Sequence, residues 1–123
     1  MVAIEDDGRS VPQPKRRFEW EQIVRRVRMP SSAKLLALTM ATYADQDGTR
    51  VRPGVERLAL VMCVSEKTVD RGLSTLRKLG LVQLTKRGNR HANQSDEYRL
   101  TAPDSILDQP ILDPDESAES WEV

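Results

Sequence analysis

The chain has 123 residues, enough for one domain with a hydrophobic core and little more. Its 19 basic and 19 acidic side chains cancel, but the segment from Lys15 to Leu100 holds 18 bases and 9 acids, and the remainder to Val123 holds seven acids and no base. A single cysteine excludes an intramolecular disulfide, and no uninterrupted apolar stretch approaches the about 18 residues of a membrane span. We therefore expect a soluble, cytoplasmic protein whose basic segment attracts a polyanion.

Both ends of the chain lack the apolar periodicity of a folded element. Residues 1–17 mix acids, prolines and the basic run Lys15-Arg16-Arg17, and they predict a flexible N-terminal arm. Residues 101–123 are acidic and rich in proline, and they predict a tail that is disordered when free, with only Ile106-Leu107 and Ile111-Leu112 to bury. One domain is predicted between them, at residues 18–100.

Two helices are predicted in the first part of this domain, from apolar residues spaced i, i+3, i+4 and i+7. Pro30 separates them, and either Ser31 or Ser32 is expected to cap the second helix, which should be mostly core. The first could either cover the core or pair two subunits. The predicted core residues are Phe18 and Trp20 as aromatic anchors, Ile23, Val24 and Val27 in the first helix, and Leu35, Leu36, Met40 and Tyr43 in the second.

Two further helices follow the polar run from Asp45 to Gly48, which we interpret as a turn rather than a calcium loop. Gly54 is a weak cap for the third helix, Ser65 caps the fourth, and Gly80 ends it in the left-handed conformation. The turn between these helices, at Cys63, is three or four residues long. The apolar stripes are Val55, Leu58, Ala59 and Met62 in the third helix, and Val69, Leu73 and Leu76 in the fourth.

Two short segments at the end of the domain predict a β-hairpin. Leu81–Thr85 and Glu97–Leu100 have strand character, and the polar link between them contains Gly88-Asn89 and several bases. The predicted fold class is therefore α+β and mainly helical. It is a winged helix-turn-helix, in which a three-helix core is preceded by a short amphipathic helix and followed by a β-hairpin wing.

Several motifs carry a family resemblance. They are Lys34-Leu35-Leu36-Ala37-Leu38, Tyr43-Ala44-Asp45, Asp47-Gly48, Pro53, Leu58-Ala59, Val64-Ser65-Glu66-Lys67-Thr68-Val69-Asp70-Arg71, Leu76, Leu79-Gly80-Leu81-Val82 and Tyr98-Arg99-Leu100. With these motifs the segment from Ser32 to Leu100, over half of the chain, resembles the winged helix-turn-helix domains of phage replisome organisers, plasmid replication initiators and related small bacterial regulators. It departs from them at Cys63, where the family usually has Gly, and at Gly54, where a capping Ser or Thr is common.

This resemblance implies binding to double-stranded DNA. The second helix of such a pair lies in the major groove, so the outward side chains of the fourth predicted helix are the candidate base contacts, with a merely solvated face as the alternative. Lys67 and Arg71 are the strongest candidates, since both can bond the acceptors of guanine. The full set on this recognition helix is Glu66, Lys67, Thr68, Arg71, Thr75 and Lys78.

Three other groups of residues are candidate contacts to the DNA backbone. The hairpin tip would enter a minor groove or hold phosphates, with a mobile loop made soluble by its charge as the alternative. The start of the third helix would offer amides and bases to a phosphate. The basic run would either lie along a groove or merely keep the chain soluble. The wing set is Lys86, Arg87, Asn89, Arg90 and His91, the phosphate set is Arg52, Gly54 and Arg57, and the arm set is Lys15, Arg16 and Arg17.

Catalytic and metal-binding patterns are missing from the sequence. One histidine and one cysteine cannot form a usual zinc site, and there is no Gly-rich phosphate loop. We therefore expect neither an enzyme nor a cofactor or metal, and we expect Cys63 to be a small buried residue of the turn rather than a redox sensor.

The role of DNA binding is left open by the residues alone. We favour a nucleoid-associated transcriptional regulator over a replication-origin binding protein, because no second folded domain is predicted that would recruit a replication machinery. The rival class is an interaction adaptor, in which the winged helix docks a protein and the tail from Ile106 to Asp113 orders on that partner. The acidic tail could instead fold over the basic face and compete with DNA.

Overall fold

The computed structural model describes residues 11–108 and 111–114. The outermost parts of the predicted arm and tail, residues 1–10, 109–110 and 115–123, lie outside the described residues. The described elements are β1 (Pro12–Pro14), α1 (Arg17–Arg26), α2 (Ser31–Ala41), α3 (Val55–Met62), α4 (Glu66–Lys78), β2 (Val82–Lys86) and β3 (Glu97–Pro103), with short 3-10 helices at Arg90–Ala92 and Asp104–Asp108. None of these helices has the length and apolarity that crossing a membrane requires.

The three strands form an antiparallel sheet in the order β1-β3-β2. On one side of β3, Tyr98 lies opposite Leu84 and Leu100 opposite Val82. On the other side, Val51 forms a bridge with Tyr98, and β1 pairs further along the strand. The predicted wing is therefore confirmed as a hairpin of β2 and β3, attached to a mainly helical body.

The core lies between α2 and the elements around it, since α2 packs against α1, α3 and α4. Gly72 of α4 allows this helix to approach α2 closely, because a Cβ at this position would lie 2.7 Å from Leu36 Cδ2. The largest side chains at the centre of the core are buried completely; they are Trp20, Val24, Leu36, Met40, Val51, Val69, Leu76, Leu81 and Leu100. Burial of this apolar surface supplies most of the stability of the fold.

Trp20 joins the first helix to the sheet. Its indole Nε1 donates to the backbone oxygens of Leu81 and Thr101, both at 2.8 Å, and its side chain is fully buried. Helix α1 thus covers the core. The prediction of Phe18 as a second anchor is wrong, because Phe18 is 73% exposed: two residues rotate a helix by about 200°, which turns it away from Trp20.

Helix α2 differs from its prediction in two details. Leu35 is 46% exposed, because the buried face is centred on Ala33, Leu36 and Met40, and Leu35 points away from it. Neither serine caps the helix: Ser31 already has helical conformation, and Pro30 precedes it without a side-chain cap. The first turn is instead closed through the Pro30 carbonyl, which accepts from the Lys34 N–H at 3.0 Å.

The ordered structure extends beyond both predicted boundaries of the domain. At the N-terminal end β1 pairs with β3, the Lys15 N–H donates to the Leu100 carbonyl at 3.1 Å, and the Arg17 N–H donates to the Gln46 carbonyl at 3.0 Å. Residues 12–17 therefore differ from the predicted flexible arm, because backbone pairing fixes them without any apolar pattern of their own.

The C-terminal segment also packs onto the body of the domain. Thr101 Oγ1 donates to the Gly80 carbonyl at 2.7 Å, and Ile106 is buried. Ile111 forms a bridge with Val27, and the Leu112 N–H donates to the Arg26 carbonyl at 2.8 Å. The apolar residues predicted to order on a partner are thus used, in part, within the chain.

Candidate nucleic-acid interface

The turn between α3 and α4 spans Cys63 to Ser65. Cys63 adopts the left-handed conformation (φ 59°, ψ 42°) in which glycine is usual, and the Val64 N–H then donates to the Ala59 carbonyl at 3.0 Å. Cys63 is exposed, so the prediction that it is buried is wrong. The core beneath the turn is filled by Ala59 and Met62, and the left-handed residue after the helix points away from it.

Ser65 caps α4, as predicted from the sequence. Its Oγ accepts the Thr68 N–H at 3.1 Å and lies 3.0 Å from Thr68 Oγ1. This fixes the first turn of α4, which carries Lys67 at its surface. Because the Thr68 hydroxyl is engaged with Ser65 and the residue is half-buried, Thr68 does not lie on the outermost face of the helix.

A row of exposed side chains follows α4 on the side opposite the core. Four residues of α4 are buried: Val69, Gly72, Leu73 and Leu76. At about 100° per residue around the helix axis, the direction opposite to them falls between the directions of Lys67 and Lys78. We call this row the outward stripe; its residues are Lys67, Arg71, Ser74 and Lys78. The three bases were predicted from the sequence but Ser74 was not, although its spacing of i+3 from Arg71 and i+7 from Lys67 places it on the same face.

The other residues predicted on the recognition helix lie to the sides of the outward stripe. Thr75 is half-buried, and its Oγ1 donates to the Arg71 carbonyl at 3.2 Å. Glu66 is exposed on the opposite flank, which also carries Asp70 and Arg77. Asp70 and Arg77 lie near enough to the Tyr98 phenol for their charges to act on its pKa, Asp70 raising it and Arg77 lowering it.

The wing is closed by hydrogen bonds of its own. The Gly88 N–H donates to Asp96 Oδ1 at 2.7 Å, and Asn89 Oδ1 accepts the His91 N–H at 3.0 Å. Lys86, Arg87, Asn89 and His91 are all exposed. Arg90 opens the short 3-10 helix, and its side chain lies outside the described part of the structure. The wing therefore presents its bases from an ordered loop.

The predicted phosphate contacts before and within α3 differ from one another in their surroundings. Gly54 precedes the helix with φ 82° and provides no side-chain cap, and Arg57 is exposed. Arg52 forms a long ion pair with β3, in which its Nη1 lies 3.8 Å from Glu97 Oε1. Of the predicted phosphate contacts, Arg57 is thus an exposed base, and Arg52 shares its charge with a carboxylate.

The predicted basic arm is held in place by its backbone. Besides the hydrogen bonds of Lys15 and Arg17 already described, Arg17 Nε lies 3.2 Å from Glu21 Oε1 on the same helix. Arg16 is exposed and immediately precedes α1. The three bases therefore lie on the edge of the fold rather than on a free arm.

The polar run after α2 is a turn, as predicted. Asp47 Oδ1 accepts the Thr49 hydroxyl at 2.6 Å and the Thr49 N–H at 3.1 Å, and these bonds hold the pKa of the Asp47 carboxyl below its ordinary value. Asp45 Oδ2 lies 3.5 Å from Arg50 Nε. Within the described ranges, no three His, Cys, Asp or Glu side chains are grouped so that they could hold a metal ion.

Comparison with known families agrees with this geometry. Residues 27–82 match the family model described as a helix-turn-helix domain. The matched segment contains α2, α3, the turn and α4. Neither the curated proteins nor the solved structures include a match to the chain. Together with the fold, this match supports a helix-turn-helix domain over residues 27–82 and DNA binding in general.

Proposed function

We propose that the protein binds double-stranded DNA at specific sequences and acts as a transcriptional regulator. The observation that carries the proposal is the outward stripe of α4, in which Lys67, Arg71 and Lys78 project from a helix whose other side is buried. A helix packed and capped in this way presents its bases at fixed spacing. That is what recognition in the major groove requires.

Each part of the interface has a chemical role in this proposal. Arg71 and Lys67 bond the O6 and N7 acceptors of guanine, and Ser74 and Lys78 contact a base edge or a phosphate. The wing bases Lys86 and Arg87 hold phosphates on the flanking backbone. The chain as a whole carries no net charge, so this local concentration of bases directs the polyanion to one face.

The test of recognition compares two arginines of the same chain. Arg71→Ala should weaken binding to a selected site by about 1–3 kcal/mol, roughly 5- to 150-fold, and relax the preference at one base pair. Arg28→Ala is the matched control, because Arg28 is also exposed but lies between α1 and α2 and belongs to none of the predicted contact sets. Both affinities are measured by fluorescence anisotropy at one salt concentration. Equal losses in the two variants would contradict recognition through α4.

Salt dependence tests the electrostatic part of the proposal independently of the base sequence. If about five phosphates are neutralised, the logarithm of the binding constant should fall against the logarithm of salt with a slope of about −4 to −5. Lys78→Ala should reduce the magnitude of this slope by about 1. A slope near zero would contradict DNA binding altogether.

The biological role is tested by selecting fragments of the source genome with the full chain and then footprinting them. A single or paired site next to a promoter supports the proposed regulator. An array of sites in one AT-rich region would replace it with an origin-binding role. If no fragment is enriched over random DNA, sequence-specific recognition by Lys67 and Arg71 is wrong.

A further inference from the structure

A half-open cleft of about 470 Å³ lies between the start of α3, the middle of α4 and the base of the wing. Its inner wall is apolar and includes Val55, Leu58 and Leu73, while Arg87 and Asp96 of the wing line its polar side. This volume falls within the range of pockets that bind small organic molecules, and an apolar wall with a few polar groups is their usual composition.

The Tyr98 side chain is the most informative group in this cleft. The residue is only 9% exposed and lines the cleft, and within the described part of the chain no hydrogen-bond partner is found for its hydroxyl. Burial, assisted by the Asp96 carboxylate, raises the pKa of the phenol, so it keeps its proton at neutral pH. In the described part of the chain the buried polar side-chain atom that lacks a partner is Arg99 Nε, so the Tyr98 hydroxyl is not sealed in the core and stays open to a hydrogen bond from the cleft.

The charges around the opening decide what kind of ligand fits. Arg87 and Asp96 have opposite signs, and Asp70 and Arg77 of α4 act on the same phenol, again with opposite signs. Asp96 also accepts the Gly88 N–H, which keeps its carboxylate at the base of the wing. A bound phosphate would be attracted by the arginines and repelled to a comparable extent by the carboxylates. An uncharged molecule is not repelled by these carboxylates.

We propose that this cleft is a binding site for a small uncharged organic molecule that has an aromatic or branched apolar body and one hydroxyl or amide group. The body lies against Leu58 and Leu73, and the polar group bonds the Tyr98 hydroxyl. Because the cleft separates the wing from α4, its occupation and the affinity for DNA are linked. Only this linkage rests on the proposed function; the binding site itself does not.

The experiment titrates the full chain with 2-phenylethanol and follows backbone amide resonances by NMR, in the absence of DNA. Saturable shifts are expected at the amides of Gly54, Val55 and Gly88, with a dissociation constant on the order of 1 mM, as suits a ligand of nine non-hydrogen atoms. Tyr98→Phe should weaken binding about 3- to 10-fold through loss of one hydrogen bond. Tyr43→Phe is the matched control, because Tyr43 is the other tyrosine of the chain and does not line the cleft.

Three outcomes would overturn the proposal. They are the absence of saturable shifts at the cleft up to 20-fold the expected dissociation constant, equal affinities of the Tyr98→Phe variant and the unaltered chain, and shifts produced by inorganic phosphate but not by 2-phenylethanol. The last outcome would assign the cleft to the DNA backbone. Since no DNA is present, failure here leaves the proposed function untouched, and failure of DNA binding leaves this test valid.

Discussion

Two basic parts of this chain are both predicted from the sequence to contact DNA, and they differ in the structure. The run Lys15-Arg16-Arg17 lies where the backbone is tied to β3 and to the turn after α2, through the N–H groups of Lys15 and Arg17. The bases of the outward stripe lie on a helix whose backbone bonds are internal and whose buried side is complete. The hydrogen bonding of the backbone beside a basic run, rather than the charge of the run, therefore indicates whether the run can act as a flexible arm.

The two stretches should therefore respond differently to substitution. Changes around residues 12–27 should act mainly on stability, because this segment closes the sheet and covers the core. Changes on the outward stripe should act mainly on the proposed interface, because its side chains contribute little burial. Four substitutions test this contrast, from the largest expected effect to the smallest.

Trp20→Ala should lower the free energy of unfolding by about 3–5 kcal/mol, from the cavity and the two carbonyls left without their indole donor. Urea denaturation measures the effect. Phe18→Ala is the matched control on the same helix, and since Phe18 is 73% exposed it should change stability by less than about 0.5 kcal/mol. Equal small losses at both positions would mean that α1 is dispensable and that the N-terminal stretch is an arm after all.

Gly48→Ala should destabilise the fold by about 2 kcal/mol, because a left-handed conformation alone costs about 1–2 kcal/mol in an alanine. Gly48 has φ 84°, and a Cβ there would overlap the Lys15 carbonyl oxygen, so the substitution also pushes the N-terminal stretch away from the turn. Hydrogen exchange at the Lys15 and Arg17 amides should rise along with the loss of stability. Gln46→Ala, which keeps the backbone, is the control, and an equal loss there would contradict this explanation.

The sequence predicts those features that local chemistry determines. Four helices, the Ser65 cap, the left-handed Gly80 and the inward faces of α3 and α4 follow from spacing and from residues with one strong preference, and all are present. Strand β1 was not predictable in this way, because two of its three residues are prolines and its partner lies almost 90 positions further along. Tertiary pairing alone places it in the sheet.

The interface shows the same division. Periodicity identifies Lys67, Arg71 and Lys78, but it places Thr68 and Thr75 outward as well, since counting residues does not reveal that each hydroxyl bonds within the helix or its cap. The cleft between the wing and α4 could not be predicted. It depends on α4 and β3 bringing Leu73 and Tyr98 to the same cleft, which is visible only in three dimensions.

Ser65→Ala should cost about 1 kcal/mol, the usual contribution of a helix N-cap. The Thr68 N–H and hydroxyl both lose their partner, so the first turn of α4 should exchange its amide protons faster while the N-terminal stretch is unaffected. The substitution should therefore destabilise the helix that carries the outward stripe without affecting the N-terminal stretch, which tests the contrast between the two. Ser65→Asp retains a capping oxygen and should preserve both stability and protection. Uniform loss of protection throughout the chain would contradict a local effect.

Thr49→Val should have the smallest effect, a rise in the pKa of Asp47 toward its ordinary value, because the variant loses the hydroxyl bond and keeps the one from the backbone. A carboxyl whose pKa is lowered by folding stabilises the fold above its unfolded pKa, and this contribution disappears as the pH falls through the folded value. Carboxyl NMR titration measures the shift, and Thr42→Val, whose hydroxyl bonds Thr39 instead, should leave it unchanged. The turn that contains Asp47 also holds Arg17 through the Gln46 carbonyl, so acid should loosen the N-terminal stretch before α4. If exchange at α4 rose first, the contrast between the two basic stretches would not hold.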